Sequence, residues 1–114
     1  MIDYKKEYQG KLRRPEDIIK MIRDGWFIST GQFAGNPHGL YSALHTLSGK
    51  AKNVEVQCSV LMEDYPFLHD EQLRKDLVYE AWFYGAVERA AHAEHRSTFM
   101  PGGLGLLATK KLSW

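Results

Sequence analysis

Short segments rich in β-branched and aromatic residues alternate along this chain with segments of helical character. The strand-like segments are residues 26–30, 54–62, 77–84 and 97–100, and the helical segments are residues 15–24, 40–48, 71–76 and 86–95. Strands that alternate with helices are joined by crossover connections, which leave the strands parallel to one another. The pattern therefore predicts an α/β fold: a partial, open, mainly parallel sheet with helices on both faces.

The first helix has the clearest boundaries in the sequence. Pro15 suits the first turn because its missing N–H would have no partner there, and Glu16 complements the positive end of the helix dipole. Gly25 stands where a left-handed residue commonly closes a helix. Residues 1–13 are polar with isolated tyrosines. We expect them to form an N-terminal arm that precedes an incomplete N-terminal α/β domain over residues 14–114.

Charge and cysteine content exclude several classes of protein. The chain has 15 basic and 14 acidic side chains, a balance that predicts neither a nucleic acid nor an anionic membrane as a partner. Its single cysteine, Cys58, cannot form an intramolecular disulfide. The N-terminus has no apolar signal region, and no segment reaches the roughly 18 to 20 apolar residues that span a bilayer. We therefore expect a cytoplasmic protein.

The segment with the strongest functional signal is the glycine-rich loop over residues 31–39, GQFAGNPHG. It follows the first predicted strand, and ligands of open α/β sheets bind at the carboxyl ends of the strands, facing helix N-termini. The glycine spacing matches neither a dinucleotide fingerprint nor a P-loop, and a plain connector is the alternative. The candidate substrate-binding residues are Gly31, Gln32, Ala34, Gly35, Asn36, Pro37 and His38.

The other candidates have simpler interpretations. His92 and His95 share a helix face but lack a third ligand nearby, so we favour surface histidines and predict no metal site. Cys58 lies among apolar residues, which indicates a core thiol. Glu80 lies within a predicted strand, where it either has a buried partner or faces solvent at a sheet edge.

An ordered set of motifs resembles a known family. A Lys-Leu step opens the helical segment KLRRPEDIIKMIRDG. The predicted strand over residues 26–30 comes next, and it is followed by a glycine loop with Pro37 and then by the pair Ala43-Leu44. The order continues with KNVEV at residues 52–56, then WFYG, Arg89 and STFMP. Over residues 10–112 this order resembles the acetyl-CoA hydrolase/transferase family, which includes the butyrate, succinate and 4-hydroxybutyrate CoA-transferases.

The resemblance implies a fold of two similar α/β halves and a ping-pong reaction. A glutamate of the second half attacks the acyl-CoA and becomes a glutamyl-CoA thioester, which passes CoA to an acid or to water. Glycine-rich loops stabilise the oxyanion. The nucleophile and most CoA-binding residues have no counterpart in this chain, so no catalytic residue is carried over. Ala86 and the pair Gln32-Phe33 depart from the family pattern, which leaves the substrate class open.

Together these features predict the N-terminal segment of an acyl-CoA:carboxylate CoA-transferase or acetyl-CoA hydrolase. Coenzyme A would enter as acyl-CoA substrate with no permanently bound cofactor, and a small carboxylic acid and the second half of the enzyme would be the partners. We expect a homo-oligomer. Three or four strands and an apolar end at Trp114 favour an incomplete chain. The alternative is a free-standing α/β ligand-binding or dimerisation module, with residues 104–114 as its dimerisation surface.

Overall fold

The computed structural model describes residues 2–102, in which α-helices or short 3₁₀ turns separate successive strands. The helices are α1 (Tyr4–Lys11), α2 (Pro15–Ile19), α3 (His38–Ala43) and α4 (Ala86–Ala93), and the strands are β1 (Phe27–Ser29), β2 (Val54–Cys58), β3 (Leu77–Ala81) and β4 (Thr98–Phe99). Short 3₁₀ turns occupy Phe33–Gly35, Leu44–Leu47, Pro66–Leu68 and Leu73–Lys75. The predicted apolar segment over residues 104–112 lies outside the described residues.

The four strands form one open sheet in the order β1-β2-β3-β4, and every neighbouring pair is parallel. Val54 pairs with Leu77 and Glu80 with Thr98. The α/β class and the parallel sheet predicted from the alternation are therefore confirmed. Because all strands run the same way, their carboxyl ends share one edge, where the loops after β1, β2 and β3 lie side by side. We call this edge the carboxyl edge.

The hydrophobic core packs against one face of the sheet. In β2, Val54 and Val56 are buried whereas Glu55 is exposed, and in β3 Tyr79 is buried whereas Val78 is exposed. This alternation directs every second side chain toward the helices. The largest buried core side chains besides these are Tyr41, Leu44, Leu47 and Leu73.

The opposite face of the sheet is more open. Phe27 on β1 and Val78 on β3 flank Glu55 in the register, and their exposed fractions are 43% and 45%. Within residues 2–102, this end of the opposite face, which we call the second face, has no apolar cover. We refer to Phe27, Glu55 and Val78 as the open row.

The predicted N-terminal arm is itself helical. The Asp3 side chain accepts a hydrogen bond from the Lys6 N–H at 3.1 Å and so caps α1. Lys11 Nζ lies 2.6 Å from Glu7 Oε1 one turn earlier, a spacing that stabilises an exposed helix. None of the residues of α1 is buried. Local capping and charge pairing therefore account for this helix.

The strands are shorter than the sequence predicts. β2 ends at Cys58 rather than residue 62, because Val60 adopts a positive φ of 51° that no strand accommodates. β3 ends at Ala81, and the following N–H groups of Trp82 and Phe83 donate to the Ser59 hydroxyl. The Ser59 hydroxyl thus adds a side-chain acceptor to the backbone bonds that continue past the strand ends, from Trp82 to Cys58 and from Val60 to Phe83. No helix in residues 2–102 has the length and apolar character to cross a bilayer.

Candidate functional site

The glycine-rich loop after β1 folds back on itself. Its 3₁₀ turn, Phe33–Gly35, is closed by a hydrogen bond from the Gly35 N–H to the Gln32 carbonyl at 2.8 Å. This turn brings the Gly35 carbonyl so close to Gly31 that a Cβ at Gly31 would overlap its oxygen. Only glycine fits at position 31 without moving the loop backbone.

Asn36 joins this loop to the segment that follows β2. Its Nδ2 donates to the Gly31 carbonyl at 3.1 Å, and its Oδ1 accepts from the Met62 N–H at 3.0 Å. Nδ2 also lies 3.4 Å from the Cys58 sulfur. One side chain thus connects the loops that leave two neighbouring parallel strands.

The remaining predicted site residues are distributed around this contact. Gln32 and Pro37 are half-buried, whereas Ala34 and His38 are exposed. His38 begins α3, and its N–H donates to the Asn36 carbonyl at 2.9 Å. The structure therefore brings Gly31, Gly35 and Asn36 into mutual contact and leaves the side chains of Gln32 and Ala34 outside it.

The His38 ring faces the loop after β2. Its Nδ1 lies 3.3 Å from Glu63 Oε2 and 3.5 Å from the Tyr65 hydroxyl. Both the histidine and the glutamate are well exposed, so their interaction is screened by solvent. Burial, followed by the charge of Glu63, raises the pKa of Tyr65. This trio forms a second, weaker link between the same two loops.

A buried polar cluster supports the glycine loop from below. The Tyr41 and Thr30 hydroxyls share a hydrogen bond, and the Cys58 thiol donates to the Gly31 carbonyl at 3.2 Å. Burial is the main reason that the pKa of Tyr41 lies well above its ordinary value, and a hydrogen bond with Cys58 adds to it. Cys58 is buried, which confirms the prediction of a core thiol.

The segment after β2 is held in a strained conformation. Val60 has a β-branched side chain, for which a positive φ is a genuine outlier. The preceding Ser59 is buried; its hydroxyl donates to the Cys58 carbonyl at 2.8 Å and accepts from the Trp82 N–H at 3.1 Å. Strained backbone of this kind persists only where its surroundings hold it, and it clusters at binding and catalytic sites.

A buried carboxylate, Glu88, lies behind this strained segment. Glu88 is wholly inaccessible to solvent. Its Oε1 accepts from the Leu61 N–H and from the Tyr79 hydroxyl at 3.2 Å, and its Oε2 accepts from the Gly85 N–H at 2.8 Å. In the sequence Glu88 is notable only as a neighbour of two histidines. The glycine three residues before it, at the start of a helix, is the capping signal that points to it.

His92, His95 and Glu80 lie away from these loops. His92 Nδ1 is 3.1 Å from both the Tyr84 hydroxyl and the Ser97 carbonyl, and His95 follows the end of α4 with a positive φ. Residues 2–102 contain no group of three or more His, Cys, Asp or Glu side chains placed to hold a metal ion. Glu80 is half-buried on the second face, where its Oε2 lies 3.5 Å from Gln57 Nε2.

The fold and these contacts define a parallel α/β chain whose loops after β1 and β2 are joined through Asn36 at the carboxyl edge. No family model matches the chain. It is similar to the butyryl-CoA:acetate CoA-transferase of Anaerostipes caccae, with 22% identity over 100 residues that make up 88% of this chain and 22% of that protein.

Solved structures share the fold. RipA from Yersinia pestis matches 90% of this chain with a TM-score of 0.67 and 23% identity. A mutant form of RipA matches the same share with a TM-score of 0.73 and 23% identity. The matched region is 26% of each of these chains. This chain therefore spans about a quarter, or less, of the proteins that it resembles.

Proposed function

We propose that this chain is the N-terminal segment of an acyl-CoA:carboxylate CoA-transferase or of an acetyl-CoA hydrolase. The observation that carries the proposal is the contact of Asn36 with Gly31 and Met62, which fixes two loops at the ligand-binding edge of a parallel sheet. The similarity to a butyryl-CoA:acetate CoA-transferase supports the choice of substrate. The proposed acyl-pocket residues are Gly31, Gln32, Ala34, Gly35, Asn36, Pro37 and His38.

In this proposal the loop shapes the pocket for the acyl group and its thioester carbonyl. The close approach of Gly31 and Gly35 leaves this part of the loop without side chains, so the backbone itself would face the acyl group. The links through Asn36 hold the loop in place before substrate arrives, which lowers the ordering cost of binding. Coenzyme A takes part as a substrate, and a small carboxylic acid or water accepts the transferred group.

The attacking glutamate would come from another part of the enzyme. Glu88 is unsuited to attack because both of its oxygens accept hydrogen bonds and neither reaches solvent. Glu63 is exposed and pairs with His38. We therefore propose that residues 14–114 belong to an incomplete N-terminal domain and that a second α/β half supplies the nucleophile.

Binding can be tested by nuclear magnetic resonance on the isotope-labelled chain. Addition of butyryl-CoA or acetyl-CoA should shift the amide signals of residues 31–36 and 60–62, and free butyrate at the same concentration should shift them less. Signals of α1, which is remote from both loops in sequence and has no buried residue, serve as the internal control. Shifts confined to residues outside these loops would contradict the proposed site.

Catalysis is tested separately. The purified chain should not transfer CoA from butyryl-CoA to acetate, because the nucleophile lies elsewhere. Transfer by a preparation free of contaminating enzyme would show that the chain carries its own nucleophile. In that event Glu63→Gln would be the first variant to examine, since Glu63 is the exposed carboxylate beside the glycine loop.

A second candidate function is supported by the open row of the sheet. Phe27 and Val78 leave apolar surface uncovered within residues 2–102, and surfaces of this kind often mark association sites. A free-standing α/β ligand-binding or dimerisation module without catalysis would use such a surface. Self-association without any response to acyl-CoA would favour this alternative.

A further inference from the structure

The most unusual group near the loop after β2 is the carboxylate of Glu88. It is wholly buried, and no lysine, arginine or histidine of residues 2–102 forms an ion pair with it. A buried carboxylate is costly to the fold unless hydrogen bonds stabilise it. Three donors, the Leu61 N–H, the Tyr79 hydroxyl and the Gly85 N–H, supply those bonds.

Part of this arrangement is ordinary helix capping. Glu88 is the third residue of α4, and its bond to the Gly85 N–H is half of a capping box. Capping alone does not require burial, nor does it use the second oxygen. That oxygen instead binds Leu61, a residue 27 positions earlier in the chain. Glu88 therefore connects the loop after β2 with the turn after β3.

The connection reaches the strained residue Val60. Its N–H donates to the Phe83 carbonyl at 3.4 Å, and the next N–H, of Leu61, is held by Glu88. A Cβ at Gly85 would lie 3.0 Å from Glu88 Oε2 and 3.2 Å from the Val60 side chain. Val60, in its left-handed conformation, thus packs against Gly85, the N-cap of α4, whose N–H binds the Glu88 carboxylate.

We propose that Glu88 is a positioning residue that fixes the Val60–Leu61 segment in its strained conformation, and so sets one wall of the acyl-CoA crevice opposite the glycine loop. The inference rests on the proposed function for the identity of the ligand. Glu88 makes no contact with the acyl group itself. It acts through the backbone of Val60 and Leu61. The next residue, Met62, donates its N–H to Asn36 and so joins this segment to the glycine loop.

The chemistry of the contact requires a carboxylate. Both oxygens of Glu88 face backbone N–H donors, so the amide of Glu88→Gln would direct its own N–H₂ group at one of them. A buried donor left without an acceptor destabilises the local structure. Glu88→Gln should therefore release either Leu61 or Gly85 while preserving the size and shape of the side chain.

The experiment measures butyryl-CoA affinity and amide hydrogen exchange in the same proteins. Glu88→Gln should weaken butyryl-CoA binding by about tenfold and speed exchange at the Leu61 or Gly85 amide. The matched control is Glu94→Gln, at the other end of α4, where the glutamate is exposed and pairs with Arg96. The control should keep both the affinity and the exchange rates of the unmodified chain.

The variant Tyr79→Phe tests whether Glu88 acts through its bonds to the backbone or through its hydrogen bond with the core residue Tyr79. It removes the hydroxyl donor of Glu88 and leaves both backbone pairs in place, so it should change the affinity by less than about threefold. Weakening by Tyr79→Phe equal to that of Glu88→Gln would overturn the inference. So would a folded Glu88→Gln protein with unchanged affinity and unchanged exchange at Leu61 and Gly85.

If Glu88→Gln does not fold, exchange in the unmodified chain decides the question. The Leu61 and Gly85 amides should then open with the same free energy, because one carboxylate holds both, and unrelated opening energies would overturn the inference. If butyryl-CoA shifts no amide signal of residues 31–36 or 60–62 in the unmodified chain, the proposed acyl pocket fails, and the exchange measurements still test the role of Glu88 in holding the segment.

Discussion

Asn36 Oδ1 accepts a hydrogen bond from the Met62 N–H at 3.0 Å, although 26 residues separate the two in the chain. The same amide group donates to the Gly31 carbonyl, so the loop after β1 and the loop after β2 share one side chain. The carboxyl edge of this sheet is consequently organised before any ligand binds.

The packing of Gly31 against Gly35 predicts an asymmetry between these two glycines. Gly31→Ala places a methyl group on the Gly35 carbonyl oxygen and should destabilise the fold by about 1 to 3 kcal/mol, the usual range for overpacking. Gly35→Ala meets nothing within 4 Å and should change stability by less than about 0.5 kcal/mol. Urea unfolding of the two variants measures both values. Equal effects would contradict the close contact at Gly31.

The contacts of Asn36 predict that its loss loosens both loops. Asn36→Ala removes the acceptor of the Met62 N–H and one of the two donors to the Gly31 carbonyl, and because both hydrogen bonds are exposed it should destabilise the fold by about 0.5 to 1.5 kcal/mol. Asn36→Asp keeps the acceptor for Met62 but sets a second acceptor against the Gly31 carbonyl, so it should not restore full stability. Gln72→Ala, at an exposed position, is the control. Thermal or urea unfolding provides the measurement.

Burial of Tyr41 and Tyr79 predicts sensitivity to alkaline pH. Desolvation is the main cause that holds the pKa of each hydroxyl far above its ordinary value. An unfolded tyrosine ionises near pH 10, so the stabilisation is fully present below about pH 10 and is lost as the pH rises above it. The free energy of unfolding should therefore start to fall at about pH 10 and decrease steadily as the pH rises further.

The control for this pH dependence is a solvent-exposed tyrosine. Tyr8 is 61% exposed, so Tyr8→Phe should leave the alkaline unfolding curve unchanged. Tyrosinate absorbance should show the buried hydroxyls ionising together with unfolding. Their ionisation in a protein that keeps its folded circular dichroism spectrum would contradict the prediction.

The open row predicts self-association. Phe27 and Val78 expose apolar surface on either side of Glu55, and the chain should dimerise through this face at high concentration. The double variant Phe27→Ser with Val78→Thr should raise the dimer dissociation constant at least about tenfold. Met21→Ser, which removes an exposed apolar side chain elsewhere, is the control. Sedimentation velocity distinguishes the outcomes, and an unmodified chain that stays monomeric would exclude this association.

Much of the fold follows from local sequence signals. The alternation of strand-like and helical segments predicts the four parallel strands, and Pro15 marks the start of α2. The strand ends are less predictable. Residues 59–62 and 82–84 have the apolar and aromatic composition of strands, but the Ser59 hydroxyl and the left-handed Val60 divert the backbone there. Composition cannot reveal such competition between side-chain and backbone acceptors.

The candidate site, like the fold, is only partly predictable from the sequence. The sequence locates the glycine loop and suggests that it faces a ligand, because glycines permit close backbone approaches and proline restricts the backbone locally. It does not reveal that Asn36 reaches Met62, or that Glu88 is buried, because hydrogen-bond partners 26 and 27 residues apart meet only when the strands pair. The cytoplasmic location and the acyl-CoA substrate stay predictions that experiments can test.

The sequence by itself thus determined the α/β class, the order of the elements and the position of the glycine-rich loop, since periodicity, capping and turn preferences act between residues close in the chain. Only the tertiary structure decided which glycine tolerates no side chain, which carboxylate is buried and which end of the sheet's second face is open. Those properties depend on close packing and desolvation, which arise when parallel strands bring distant loops to one edge.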